Sequence, residues 1–255
     1  MKIQILDHGY IELIESWGSD ERIIEAARMS TNKGFQGWGP KHTLECNSLF
    51  ERTTRMGNVV PQGCNCGQII PGDEKLLSYL YKNKHMTPFE MAGMIIEVQA
   101  PIFVFREWHR HRTMSYNELS ARYTSLPDLN YIPTFQRCMI NPGTNKQAQS
   151  NSEIKEHLIR KWLHNLDSIY KQLETYYQEG LSIGVPKELA RLCIPVGRYS
   201  RMRASANLRN WLQFLTLRMA PNAQWEIRQY ADAIYTILIL KFPRTMQLFD
   251  EEGSK

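Results

Sequence analysis

The stretch Met94-Ile95-Ile96-Glu97-Val98-Gln99-Ala100-Pro101-Ile102-Phe103-Val104-Phe105-Arg106-Glu107-Trp108-His109-Arg110-His111-Arg112 changes period at its middle. Residues 94–98 read as a strand, and Pro101, which has no N–H to give a ladder, ends it. Residues 103–112 then read as a helix with an aromatic face, followed by a polar, charged run over 113–123. Upstream, Ile3 and Ile5, then Tyr10, Ile11, Leu13 and Ile14, flank the turn-prone Asp7-His8-Gly9, which predicts a hairpin. Ser19 before Asp20 and Glu21 caps a helix that the pattern carries to about Met29. From Glu74, the spacing of Leu76, Leu77, Leu80 and Tyr81 is helical; Pro88 opens a further helix after a Thr87 cap, with His85 in the intervening turn.

Downstream, Leu158, Trp162, Leu166, Ile169, Leu173 and Tyr176 recur at steps of three and four, and Gly180 reads as the stop of that helix. Two more helices are predicted over 208–219 and 223–240. The result is a mixed α+β chain without regular strand-helix alternation. Residues 32–73 differ: rich in Gly, Pro, Asn and Gln, they show no sustained period and read as a long loop or insertion with room for one short helix.

With 255 residues, 42% hydrophobic and 22% charged, the composition is that of a globular chain and excludes a disordered, collagen-like or coiled-coil protein. A chain of this size can bury roughly three-quarters of its unfolded surface, so it needs no disulfide or metal staple. The net charge of +5 suits small anions but is too mild to announce a nucleic-acid protein. Five cysteines (Cys46, Cys64, Cys66, Cys138, Cys193) and an N-terminus that meets Asp7 before any apolar run predict a reducing, cytoplasmic setting. The most apolar window, 231–240, contains Asp232 and stops at Lys241, far short of the ~20 residues a bilayer span needs.

Neither G-x-G-x-x-G nor G-x-x-x-x-G-K-[ST] occurs, so a dinucleotide would have to bind by another device. No H-E-x-x-H or clustered His/Asp set points to a catalytic metal; Cys64-Asn65-Cys66 with Cys46 and His42 could at most form a structural zinc site, the alternative being loop thiols with no joint role. The run from Arg106 to Tyr123 holds arginines 106, 110, 112 and 122 and histidines 109 and 111 without the alternating acids of a salt-bridged helix face. Arginine's planar fork grips phosphate oxygens in pairs, and Ser120 can add a hydroxyl donor, so a nucleotide phosphate fits as guest. Asn117 and Glu118 could read the polar edges of a base or sugar. On charge alone, a solvated basic face or an RNA patch fits equally, with Tyr116 and Tyr123 as stacking platforms.

Spacing separates these readings. Arg110-His111-Arg112, seven residues, then Ser120 is the R-H-R-x7-S pattern of the flavin-dependent thymidylate synthases, and Ser115-Tyr116-Asn117-Glu118-Leu119-Ser120-x-Arg122-Tyr123 resembles that family as well. The resemblance continues, in family order, through His85-x-Thr87-Pro88-Phe89-Glu90, Ala100-Pro101-Ile102-Phe103-Val104, Ala190-Arg191 and Ala223-Gln224-Trp225-Glu226. It implies a single catalytic domain spanning 1–255, α+β with a small, mostly antiparallel sheet packed with long helices, the 32–73 stretch being an insertion. It implies conversion of dUMP to dTMP, with methylenetetrahydrofolate as carbon donor and NADPH reducing through FAD. A homotetramer with active sites between subunits is implied too, with no nucleic-acid or membrane partner.

Carried onto this sequence, the resemblance sets dUMP against Glu107, Arg110, Glu118, Leu119, Ser120, Ala121, Arg122, Arg191 and Arg218. It sets FAD against Ser30, Thr87, Glu90, Arg110, His111, Arg112, Thr113, Glu118, Asn207, Arg209, Gln213 and Asn222. Arg218 resembles the arginine that faces the uracil ring, where a guanidinium that stays protonated would stabilise developing negative charge rather than act as a base. His85 is associated with the flavin and folate region, making it and Arg218 the catalytic pair. Ser120 is assigned to binding, because a serine nucleophile needs a neighbouring base. Cys193 reads as buried core rather than a thiolate. Three positions depart from the family pattern: Glu107 where an amide is familiar, Gln213 where asparagine is, and Asn222 where histidine is. A member that keeps FAD but has lost turnover would carry such changes.

Overall fold

The computed structural model describes residues 1–39, 41–42, 69–70, 72–139 and 155–253. Along the chain run β1 (Lys2–Ile5), β2 (Gly9–Trp17), α1 (Asp20–Arg28), β3 (Lys41–His42), β4 (Ile69–Ile70), α2 (Glu74–Lys82), β5 (Gly93–Pro101), α3 (Ile102–Trp108), β6 (Ser115–Glu118) and α4 (Phe135–Met139). Then follow α5 (Glu156–Ser182), α6 (Lys187–Ala190), β7 (Tyr199–Asn207), α7 (Leu208–Arg218), α8 (Trp225–Lys241) and α9 (Pro243–Gly253), with 3-10 turns at Met29–Thr31, Thr87–Met91 and Arg191–Cys193. The chain divides into two compact units: one made of 1–16, 94–206 and 210–237, the other of 17–93, 207–209 and 238–255.

The first unit carries the small antiparallel sheet, in the order β1-β2-β5-β7-β6. In the register of β1 and β2, Ile3 lies opposite Ile11; in that of β6 and β7, Asn117 lies opposite Arg203. Strand β5 buries Met94, Ile96, Val98 and Ala100, and β7 buries Met202, Ala204 and Ala206 while Arg201 and Arg203 face out. This period of two is the signature of a sheet with one covered face. Helix α3 contributes Phe105 and Trp108 to the core, α7 Trp211, Phe214 and Leu215, and α8 Tyr230 and Ile234. Trp108 and Phe214 rings lie 4.9 Å apart, and Trp211 Nε1 donates to the Met94 carbonyl at 3.2 Å, so both indoles lock α7 and α3 into this unit. In the predicted hairpin the left-handed residue is Leu6 (φ 57°). Gly9 is required for another reason: a Cβ there would lie 2.1 Å from Tyr230 Oη.

Helix α5 begins at Glu156, residues 151–154 of the predicted span lying outside the described residues, and it runs past Gly180 to Ser182. The stop is Gly184 (φ +85°): Gly184 N donates to Leu181 O at 3.2 Å and Val185 N to Gly180 O at 2.9 Å, the paired bonds that close a helix with a left-handed residue. The predicted helix over 103–112 also needs correction. Helix α3 ends at Trp108, so Arg110, His111 and Arg112 lie in a turn beyond it. There the backbone tightens to three-residue bonds, Arg110 N to Glu107 O at 3.4 Å and His111 N to Trp108 O at 3.0 Å, while Arg218 Nη2 also donates to Glu107 O at 2.8 Å and Tyr116 Oη lies 3.1 Å from Trp108 O and 2.8 Å from His111 O. Four strands, β3, β4, β6 and β7, stand where none was predicted.

In the second unit, α1, α2, α9 and the turn Thr87–Met91 pack on one another. Ser19 caps α1 as expected, its Oγ accepting from Arg22 N at 3.3 Å. Thr87 is the first residue of its turn rather than its cap, which is Met86 without a side-chain bond. Helix α9 was not predicted. Pro243 opens it, and the buried Asp20 sits at its N-terminus, accepting from Arg244 N at 2.8 Å and Thr245 Oγ1 at 2.6 Å. The insertion-like stretch is tied at both ends: β3 and β4 pair antiparallel, and the buried Asp73 accepts from Gln36 N at 2.6 Å, Gly37 N at 3.2 Å and Arg28 Nε at 3.1 Å. Cys46, Cys64, Cys66, the His42 side chain and any short helix over 43–68 lie outside the described residues. No described helix is long and apolar enough to cross a membrane.

Candidate active site

Within the first unit, the chain leaving β6 turns at Leu119, whose N–H donates to Arg201 O at 2.7 Å on the neighbouring strand. This bond aims residues 118–121 into a cavity of about 340 Å³ lined by Ile102, Glu118, Leu119, Ser120, Ala121, Leu126, Arg191, Ile194 and Ser200. Glu118, Leu119, Ser120, Ala121 and Arg191 were assigned to one nucleotide by the sequence, and the fold brings them together although Arg191 is seventy positions downstream. Ser120 Oγ accepts from Arg122 N at 3.3 Å, which leaves its O–H free to donate. The Arg191 guanidinium has no acceptor among the described residues, and the same holds for Arg110 and Arg112 in the exposed turn. Cations without partners beside a concave surface are what an anionic ligand requires. Arg122, next to the cavity, pairs instead with Glu188 at 3.0 Å, both side chains more than half exposed.

Glu107, His111 and Arg218 form a second cluster in that unit, and none of them lines the cavity. Arg218 Nε donates to His111 Nε2 at 2.8 Å, Nη1 to Glu107 Oε2 at 2.9 Å, and Nη2 to Glu107 O at 2.8 Å. His111 is buried, and its pKa is lowered to about 4, first by burial and then by the Arg218 charge, Glu107 opposing. It is therefore neutral at pH 7, with its one lone pair given to Arg218, and cannot serve as base for Ser120. Burial pushes the Tyr116 hydroxyl up to about 12, so it stays a donor to the two carbonyls it holds. Thr113 O accepts from Asn210 Nδ2 at 2.9 Å; Gln213 is exposed on α7, and Asn222 is exposed between α7 and α8.

The remaining assigned residues belong to the second unit. Glu90 and Arg209 form an ion pair, Ser30 Oγ donates to Ala27 O at 3.1 Å, and Thr87 is exposed. His85 is exposed, its ring 5.7 Å from that of Tyr79, and Asn207 is the part-buried last residue of β7. Cys193 is half-buried rather than core, its Sγ 3.3 Å from Ala190 O and 3.8 Å from Leu173 O. Sequence reasoning missed four cavity residues: Ile102, Leu126, Ile194 and Ser200. Ser200 is 1% exposed and its Oγ has no hydrogen-bond partner. It stands in the inward row of β7, which strict alternation from Met202 to Ala206 would have revealed.

A family model described as thymidylate synthase complementing protein matches residues 12–244. Over 249 residues the chain is 35% identical to the flavin-dependent thymidylate synthase of Thermotoga neapolitana, covering 98% of this chain and 94% of that one. The enzyme of the same description from Rickettsia bellii is 33% identical over 261 residues, covering 98% and 78%. Among solved structures, the UMP/dUMP methylase PolB of Streptomyces cacaoi, bound with 5-Br dUMP, superimposes with a TM-score of 0.72 at 28% identity over 98% of this chain and 97% of that one.

Proposed function

The chain belongs to the thymidylate synthase complementing protein family, and from that premise we propose how it works as a flavin-dependent thymidylate synthase, methylating dUMP to dTMP. The observation that carries the reading is the cavity that gathers Ser120, Arg191 and the 118–121 backbone, with a guanidinium that has no acceptor among the described residues and a hydroxyl donor on its wall. In this reading Ser120, Arg110, Arg122 and Arg191 hold the phosphate, Glu118, Leu119 and Ala121 shape the sugar site, and Arg218, paired with Glu107, faces the base. The neutral His111, whose Nε2 accepts from Arg218, and a Ser120 hydroxyl that no base bonds among the described residues support a reaction that uses no protein nucleophile.

FAD fits the residues present: Arg110 and Arg112 stand in an exposed turn with no acceptor among the described residues, as a diphosphate requires. In the first unit Arg110, His111, Arg112, Thr113, Glu118, Gln213 and Asn222 would hold it; the resemblance also assigns to it Ser30, Thr87, Glu90, Asn207 and Arg209 of the second unit. When bound, it supplies the hydride chemistry, and the protein's share is orientation, charge and exclusion of competing reactions. We assign NADPH as reductant and methylenetetrahydrofolate as carbon donor, with His85 serving the folate and flavin side.

The active unit in this proposal is a homotetramer whose sites lie between copies. Two features support it. The cavity holds part of the nucleotide set while Glu107, Arg110 and Arg218 do not line it, so a second copy would complete the site. Helix α5 also presents Trp162, Ile169 and Tyr176, followed by Ile183, at seven-residue steps and about half or more exposed, the spacing of a helix seam. Each chain would act as one catalytic domain, with the 32–73 insertion attached, in a cytoplasm that keeps Cys138 and Cys193 reduced.

Tritium release from C5-labelled dUMP, with FAD, NADPH and methylenetetrahydrofolate under anaerobic conditions, tests the reading. Release that needs all three is expected. None, from a protein with a flavin spectrum, would reduce it to a flavin-binding relative; salt-sensitive RNA binding without flavin would replace it.

A further inference from the structure

Arg218 is the last residue of α7, a place where a long side chain is usually free, yet three of its five N–H groups are engaged. The acceptors come from one short stretch: the Glu107 carboxylate, the Glu107 carbonyl and His111 Nε2. The carbonyl and His111 are fixed in turn. The Glu107 carbonyl belongs to the last turn of α3, the His111 ring packs 4.8 Å from that of Phe214, and the His111 carbonyl accepts from Tyr116 Oη. Only 14% of the Arg218 side chain is exposed, whereas 42% of the Glu107 side chain is, and Glu107 Oε1 has no acceptor role among the described bonds.

Resting on the reading above, we propose that Glu107 and His111 are positioning residues for Arg218. They fix its guanidinium so that one N–H on each terminal nitrogen remains for the pyrimidine, and the Glu107 carboxylate acts on the nucleotide through Arg218 rather than by touching it. This resolves the chemical difficulty of a carboxylate at a nucleotide site: its charge is spent on a cation. It also explains how a glutamate can stand where an amide is familiar, since either side chain offers Nη1 an oxygen acceptor of the same reach. A guanidinium held in advance need not reorganise when charge develops on the ring, which is where electrostatic stabilisation is most effective.

The test compares wild type with Glu107→Gln, Glu107→Leu and His111→Phe, all loaded with flavin. For each, kcat and KM for dUMP are measured by tritium release, dUMP affinity by calorimetry, and flavin content by visible spectrum. The proposal expects Glu107→Gln to stay within about three-fold of wild type in kcat, because the acceptor survives. It expects Glu107→Leu and His111→Phe to lose about 10²-fold in kcat, as a mispositioned group does, with dUMP affinity changed less than about three-fold. Equal losses in the Gln and Leu variants would overturn it, showing that the charge itself matters. A loss confined to dUMP affinity would overturn it too, as evidence of direct contact. Should Glu107→Leu fail to fold, the His111→Phe variant alone decides by the same split of kcat from affinity. A wild type that releases no tritium sinks the synthase reading; an active wild type with unaffected variants sinks only this inference.

Discussion

Arg191 and Arg218 are both assigned to one nucleotide, and the fold treats them in opposite ways. Arg218 donates to three acceptors and is 14% exposed; Arg191 has no acceptor among the described residues and lies on the wall of a cavity. Holding an arginine costs about 2 kcal/mol of rotamer entropy, and at Arg218 folding has met that cost before any ligand arrives. At Arg191 the ligand must meet it, but the ligand also gains a full charge-assisted bond to a cation that has no other partner. A held cation therefore suits charge that appears during reaction, and a loose one suits charge the substrate always carries.

Replacing Arg218 should have the largest effect. Arg218→Lys keeps the charge but cannot reproduce a fork that meets Nε2, a carboxylate and a carbonyl at once, so kcat should fall about 10²–10³-fold, in the range of a lost electrostatic donor. Thermal stability should fall with it, because Glu107 and His111 lose their partner. A Lys variant that melts and turns over like wild type would erase the distinction between the two arginines. For Arg191→Ala the expected loss is about 1.5–3 kcal/mol in dUMP affinity by calorimetry, with the melting temperature unchanged since no intramolecular bond is broken. A fall in melting temperature at unchanged affinity would mean that Arg191 is structural as well.

The pH response sharpens the contrast, since only the held arginine leans on a titrating group. His111 has its pKa lowered from 6.5 to about 4 in the folded chain. Between those values the unfolded chain binds the extra proton and the folded chain does not, so stability is full above about 6.5 and declines as pH falls toward 4. Denaturant melts at pH 7, 5.5 and 4.5 should show this slope in wild type and less of it in His111→Phe. The same slope in both proteins would remove His111 as its source.

How much of this was legible beforehand follows from the kind of signal involved. The hairpin, α1, α5, α7 and α8 announce themselves by local periodicity and caps, which single residues such as Ser19 encode. The R-H-R-x7-S spacing located the cavity residues 118–121, because those are consecutive along the chain. What escaped was whatever depends on distant partners. Past Trp108 the chain turns where Arg218 and Tyr116, from other elements, bond the Glu107 and Trp108 carbonyls. The last predicted helix ends at residue 240, and the N-terminus of α9 behind Pro243 is met by the buried Asp20, more than two hundred residues away. The three-way engagement of Arg218 is of this second kind: no local pattern pairs position 218 with 107 and 111.

The smallest effect is expected next to Arg191 itself. Cys193 lies two residues on, half-buried, with its thiol directed at the Ala190 and Leu173 carbonyls, neither of which can take its proton as a base would. A nucleophilic cysteine needs a cation or a base to form thiolate, and among the described residues no histidine or lysine is bonded to this one. Cys193→Ala removes a weak S–H donor and one sulfur's volume, so stability should drop by about 1 kcal/mol at most and turnover should match wild type. Loss of turnover from a folded variant that still binds dUMP would mean that the chemistry runs through a thiolate. The loose arginine would then be a neighbour of the nucleophile, and the division of labour between Arg191 and Arg218 would have to be drawn again.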